Sequence, residues 1–189
     1  MTNYKYTKDW FLLSEIRNHL QKFVNSSNDY RILEIGCYEG LSSVYFADTL
    51  LNDPNSTLTC VDPFLTIDNN DHLKYLENGE EKNFDHNISI CKNTKKIKIN
   101  KVTSDKFFET NDKTYNLIYI DGCHETDFIT RDMENSFKVL EFDGIMWMDD
   151  YRGGMNDIIK NTMDVFLEKH NGEFELIHIG YQLAIKKKI

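Results

Sequence analysis

The sequence predicts an α/β fold built on a mostly parallel sheet. Short apolar β-type runs alternate along the chain with segments whose apolar residues recur at helical spacing. The first such run, Arg31–Ile35, opens into a loop bounded by Gly36 and Gly40. Three of the runs end in carboxylates: Asp62, Asp121 and the pair Asp149-Asp150. In a parallel sheet these ends line one edge, where ligands bind.

Each element has its own local signal. Residues 9–25 carry Phe11, Leu12, Ile16, Leu20, Phe23 and Val24 at helical spacing, which predicts one helix within an N-terminal segment, 1–29, that packs on the remainder. The polar turn Asn25–Asp29 leads into the strand Arg31–Ile35. After the glycine loop, Leu41, Val44, Ala47 and Leu51 line a helix with Ser42 and Ser43 in its first turn. Leu58–Val61 is a second strand, ending at Asp62-Pro63. The acidic stretch Leu65–Glu81, with Asp68–Asp71 and Asn78–Glu81, predicts a loop containing a broken helix, placed as a lid would be. A short helix over Phe84–Thr94 and an alternating strand over Lys96–Val102 follow. Asn116–Ile120 reads as a buried strand, and Ile129, Met133, Phe137 and Leu140 as the helix behind it. Gly144–Met148 is a fifth strand, and Met155, Ile159, Met163 and Phe166 mark the last long helix. Phe174–Ile179 and Tyr181–Ile185, separated by Gly180, form a closing antiparallel pair.

Composition bounds what this fold does. A chain of 189 residues predicts one domain. With 12 Phe, 10 Tyr and 40% hydrophobic residues it has ample material for a core, which excludes disorder as the main state. Its 22 basic against 31 acidic side chains give a net charge of −9, the wrong sign for a general nucleic-acid binder, although Lys92–Lys106 and Lys186–Lys188 are locally basic. No apolar run approaches the ~18 residues of a membrane span, and the N-terminus lacks a signal pattern. Cys37, Cys60, Cys91 and Cys123 are scattered, without a C-x-x-C pair. They predict reduced thiols in the cytoplasm, not a disulfide framework or a zinc site.

The chemistry concentrates at the strand ends. One Asp at a strand end is an ordinary turn or helix-cap residue. Four of them beside a glycine loop exceed that requirement. The loop reads Glu34-Ile35-Gly36-Cys37-Tyr38-Glu39-Gly40, spaced acid-x-Gly-x-x-x-Gly. It is neither the G-x-G-x-x-G dinucleotide pattern nor a phosphate-binding G-x-x-x-x-G-K-[ST] loop, so it suits a cofactor without phosphates. Asp62, one helix and one strand later, is positioned to accept hydrogen bonds from a ribose diol.

These motifs resemble the class I S-adenosylmethionine-dependent methyltransferases over roughly residues 30–189. Glu34 to Gly40 matches the family's first motif, Val61-Asp62 its second, and the final strand pair its antiparallel end. The resemblance implies a Rossmann-like, seven-stranded, mostly parallel sheet with an antiparallel last strand and helices on both faces. It implies S-adenosylmethionine bound by Glu34, Gly36, Cys37, Tyr38, Gly40, Ser42, Asp62, Pro63 and Asp121, with Ser104 and Asp105 reaching the adenine. Within the family, Tyr119-Ile120-Asp121-Gly122-Cys123-His124 and Asp143 to Tyr151 are similar to the metal-dependent O-methyltransferases that modify sugars of macrolides and other glycosylated products. There the corresponding acids, here Asp121, Asp149 and Asp150, hold a divalent metal, and the histidine, here His124, is the base. The family's Pro-Gly-Gly turn is Phe142-Asp143-Gly144 in this chain, and its small residues after the third strand are Thr103-Ser104-Asp105.

The same residues support that chemistry directly. Three carboxylates without clustered Cys or His make a hard oxygen site, suited to magnesium or manganese. An imidazole has the proton affinity a base needs near neutrality. The expected reaction is methyl transfer to a hydroxyl of a sugar or glycosylated small molecule, with Asp121 and His124 as the catalytic residues. The acceptor wall would come from Leu65–Glu81, the loop after Asp150, or a second copy of the chain. The alternatives are a catechol-like phenol as acceptor, or a non-catalytic methyltransferase-like partner subunit.

Overall fold

The computed structural model describes residues 3–67, 73–75, 79–153 and 157–188. Its strands are β1 (Arg31–Ile35), β2 (Thr57–Val61), β3 (Leu65–Ile67), β4 (Leu73–Tyr75), β5 (Ile97–Asn100), β6 (Tyr115–Ile120), β7 (Leu140–Met148), β8 (Phe174–Ile179) and β9 (Leu183–Lys187). Its helices are α1 (Glu15–His19), α2 (Leu41–Leu50), α3 (Glu80–Ile90), α4 (Ser104–Thr110), α5 (Thr126–Val139) and α6 (Ile158–Lys169). Seven strands form one sheet in the order β5-β2-β1-β6-β7-β9-β8. The first five of these are mutually parallel, and β9 runs antiparallel between β7 and β8. Among the described residues, no helix is long and apolar enough to cross a membrane.

Strand alternation sorts the core into two layers. Leu117 and Tyr119 of β6, with Ile145 and Trp147 of β7, face one layer, which also holds Phe11, Ile16, Leu20, Phe46 and Phe84. Ile118, Ile120, Met146 and Met148 face the other, against Phe107, Met133, Phe137 and Phe166. The strand order reverses between β1 and β6, whose register runs Ile32↔Leu117 to Ile35↔Ile120. A crevice opens there because β1 and β6 send their outgoing connections to opposite layers.

Several elements differ from the local sequence signals. The N-terminal helix over 9–25 is broken into a 3-10 turn at Trp10–Leu13, the short α1 and a second 3-10 turn at Leu20–Lys22. Ser14 is extended, with ψ 135°, and directs the chain so that the Ile16 N–H reaches Gln182 at 2.7 Å. In place of a broken helix after Leu65, β3 and β4 pair as an antiparallel hairpin. Asp68–Asp71 and Asn78 lie outside the described residues, as does Met155. The helix expected over Phe84–Thr94 begins at Glu80 and ends at Ile90, and the strand over Lys96–Val102 is confined to Ile97–Asn100. β7 begins four residues before Gly144, and β9 two residues after Tyr181. Helix α4 has no counterpart among the local sequence signals.

Gly36 shows how tightly the crevice is built. Its φ is +82°, and a Cβ there would lie 1.8 Å from the Asp121 carbonyl oxygen. Gly36→Ala should therefore cost at least about 3 kcal/mol of stability by urea unfolding, combining left-handed strain with a backbone clash. Gly172 shares the strain, at φ +95°, but a methyl group there would meet nothing within 4 Å. Gly172→Ala should cost only ~1–2 kcal/mol; equal losses at the two sites would contradict this packing.

Candidate active site

The glycine loop is closed from below by two carboxyl groups. Asp62 Oδ2 accepts the Cys37 and Tyr38 N–H groups at 2.7 and 2.9 Å, while its Oδ1 accepts the Phe64 N–H at 2.7 Å. Burial pushes the Asp62 carboxyl up, and these three N–H groups pull it back. A carboxylate has about four acceptor positions, so one remains for a ligand hydroxyl. Pro63 lies within this turn, half-buried. Glu34 is fully buried beneath the loop and accepts the hydroxyls of Ser42 and Ser43 and, at 3.5 Å, the Cys60 thiol. Glu34 and Ser42 thus brace the loop from inside. The Cys37 thiol is buried, and burial raises it, as expected of a packing residue. The Tyr38 ring stacks on Trp10, with centroids 5.3 Å apart. Gly40, at φ +79°, precedes the first residue of α2.

Ser104 and Asp105 open α4 on the far flank. Ser104 lies beside Asp132 of α5, and Asp105 accepts Arg131 Nε at 3.0 and 3.1 Å. Among the described residues, neither is hydrogen-bonded to the glycine loop or to Asp62. Asp132 is almost fully buried behind Gly122, and burial pushes it up to about 6.

The remaining acids converge across the crevice. Asp121 follows Tyr119 on the same strand face, and Asp149 follows Trp147, so both point into the first layer. Asp150 lies just beyond the strand, on left-handed backbone at φ +58°. One ligand atom each of Asp121, His124 and Asp150 lies within 4.8 Å of the others. His124 Nε2 is 2.9 Å from Asp150 Oδ2. The Tyr119 hydroxyl donates to Asp149 Oδ2 at 2.7 Å and approaches Asp121 Oδ2 at 3.3 Å. Asp150 also accepts the Tyr181 hydroxyl, and its N–H bonds Asp149 Oδ1 at 2.8 Å.

Burial, then the charges of Asp149 and Asp150, raise Asp121 far above the carboxylate range. Burial raises Asp149 too. Burial also pushes Asp150 upward, but the bonds from His124 and Tyr181 outweigh it and leave this carboxyl below its ordinary value. The bond to Asp150 correspondingly raises His124. Crowded hard oxygens whose only ion-pair partner among the described residues is a histidine are suited to a divalent cation.

A family model described as "Methyltransferase domain" matches residues 33–151. The chain belongs to this methyltransferase family. Together with the sheet order, this makes it a class I, S-adenosylmethionine-dependent enzyme. No curated protein matches the sequence. Solved structures that share the fold include a Clostridium thermocellum protein described as an rRNA methylase, at 11% identity over 98% of this chain and 99% of that one, with a TM-score of 0.69. The O-methyltransferase TomG of Streptomyces achromogenes, in complex with S-adenosylmethionine, matches at 14% identity over 93% and 81%, with a TM-score of 0.67. A Staphylococcus aureus protein described as a caffeoyl-CoA O-methyltransferase matches at 18% over 98% and 86%, with a TM-score of 0.66. At these identities the likeness is one of fold.

Two tyrosines reach the acid cluster without a role assigned to them from the sequence. Tyr119 is legible in principle: it stands two residues before Asp121 on a buried strand, and a buried phenol needs a polar partner. Tyr181 is brought in by the turn between β8 and β9 and has no local signal.

The brace beneath the loop predicts a pH effect. Burial raises Glu34 to about 7 from an ordinary 4.5, so the folded protein holds this proton more tightly than the unfolded chain. Its contribution to stability is complete below pH 4.5 and is lost as the pH rises through 7. Glu34→Gln, which cannot ionise, should flatten that decline in urea midpoint relative to the parent. Parallel pH profiles for parent and variant would contradict it.

Proposed function

We propose that this methyltransferase moves the methyl group of S-adenosylmethionine to a hydroxyl of a small molecule, with a divalent cation, magnesium or manganese, held by Asp121, Asp149 and Asp150. The observation that carries this is the convergence of Asp121, His124 and Asp150 within 4.8 Å, beside the junction with Gly36 of the glycine loop; Asp149 lies outside that group but shares the Tyr119 hydroxyl with Asp121. A sugar or glycoside is the acceptor class to which the D-G-x-H segment points. The names of TomG and the caffeoyl-CoA enzyme also favour oxygen as the accepting atom.

The chain's own groups divide the work. The free acceptor position on Asp62 holds a ribose hydroxyl, and the same carboxylate keeps the Cys37 and Tyr38 N–H groups turned inward. Gly36 allows the donor to approach the backbone closely. Tyr119 fixes the orientation of Asp149 and Asp121. The cation, when bound, would supply orientation of the acceptor oxygen and a lower pKa for its hydroxyl. His124 takes the hydroxyl proton on its imidazole, and Asp150 steadies the resulting imidazolium. Most of the rate gain comes from alignment.

Calorimetry with S-adenosylmethionine tests the donor site: Asp62→Asn should weaken binding by about 1.5–3 kcal/mol. Parent-like affinity in a folded variant would remove Asp62 from the site.

The proximity of His124 to Asp121 and Asp150 favours a second assignment, in which His124 is itself a metal ligand. His124→Ala separates the two. Loss of a base should lower kcat by about 10²–10⁴ with manganese affinity unchanged, whereas loss of a ligand should weaken manganese binding itself. Full activity in excess EDTA would end the metal proposal.

A further inference from the structure

Gln182 is fully buried, yet the protein uses only half of its amide. Its Oε1 accepts the Ile16 N–H at 2.7 Å and the Trp147 Nε1–H at 2.8 Å. Both partners are obligate donors, so the orientation of the amide is fixed: oxygen toward Trp147 and Ile16, nitrogen away from them. That nitrogen, Nε2, is buried and has no hydrogen-bond partner among the described residues. A buried donor left without a partner is costly, and its position in the fold should explain it.

The sheet register indicates where Nε2 faces. β7 and β9 pair Trp147↔Ala184 and Met148↔Leu183. One step beyond the last pair, the same ladder would set Gln182 opposite Asp149. Trp147 and Asp149 share a strand face, as do Ala184 and Gln182, and that face is the first layer. The contact between Gln182 and Trp147 confirms that Gln182 points there. Asp149 already receives Tyr119 on Oδ2 and the Asp150 N–H on Oδ1, leaving a lone pair on each oxygen.

We propose that Gln182 is a positioning residue: its Nε2–H₂, unpartnered among the described residues, faces Asp149 and is placed to donate to that carboxylate and hold it in the orientation in which it serves the metal site. The inference rests on the proposed metal site. It goes beyond it in linking the ligand Asp149, through one amide, to the N-terminal segment at Ile16 and to the indole of Trp147. The backbone N–H of Gln182 is itself tied to Glu15 Oε2 at 2.8 Å, which fixes the residue from a second side.

Gln182→Glu separates positioning from mere structure. It keeps an acceptor oxygen for Ile16 and Trp147 and replaces the donor facing Asp149 with a second acceptor. In the metal-free full-length protein, Mn²⁺ binding read by electron paramagnetic resonance should weaken by roughly tenfold or more, the usual effect of losing a group that orients a metal ligand. S-adenosylmethionine affinity should stay within about twofold. In EDTA the variant's urea midpoint should fall, and adding Asp149→Asn should recover most of the loss, because the asparagine amide then donates to the new carboxylate. A Gln182→Glu protein that binds Mn²⁺ as the parent does would overturn the positioning role. So would a midpoint that Asp149→Asn fails to recover. If the parent binds no Mn²⁺, the metal proposal fails separately, and the urea comparison alone decides whether Gln182 contacts Asp149.

Discussion

The site depends on a close approach between two backbones: Gly36, where β1 turns into the donor loop, and the Asp121 carbonyl, where β6 turns into the acid cluster. No side chain fits between them. The β1/β6 register ends level, at Ile35↔Ile120, and the Asp121 N–H then bonds the Ile35 carbonyl at 2.8 Å. The glycine loop and the acid cluster therefore share one rigid backbone junction, with no flexible linker between them. Methyl transfer depends on alignment of a few tenths of an ångström, and a junction of this kind can maintain it.

Around the junction the fold buries more acid than base. Glu34, Asp62, Asp121, Asp132 and Asp149 all lie within it or behind it, and burial raises each of them. Two are satisfied by the protein itself: Glu34 by serine hydroxyls and Asp62 by backbone N–H groups. The acid cluster is not satisfied in this way. Its charge is met only by tyrosine hydroxyls and one histidine among the described residues, which leaves it under-compensated, the condition the proposed cation would meet. The difference between braced and under-compensated acids separates the scaffold from the reactive part of the site.

The sequence made the parallel strands legible as short apolar runs, four of the five followed directly by Gly or Asp. It also made legible the acids at their ends, since a parallel sheet puts all such ends on one edge. It did not reveal elements whose form depends on distant partners. The apolar spacing of residues 9–25 suits a continuous helix, but Glu15 and Ile16 bond the 180–182 turn, and those contacts break the helix at Ser14. Helix α4 spans only seven residues, Ser104–Thr110, too few for a periodic signal. Tyr181 and Gln182 enter the site from the end of the chain, and no local pattern predicts that β9 will insert beside β7.

That insertion governs how the protein comes into being. β9 lies inside the sheet but leaves the ribosome after every strand it joins. Until it arrives, β7 presents an open edge of backbone donors and acceptors, and β8 has no partner. A nascent chain that has already made Asp62, Asp121 and Asp149 thus still lacks the strand that closes the sheet around them. During that interval its exposed edge is the natural substrate of chaperones and the natural seed of misassembly. Closure of the sheet around the acids waits on β9, which follows every other strand of the sheet in chain order.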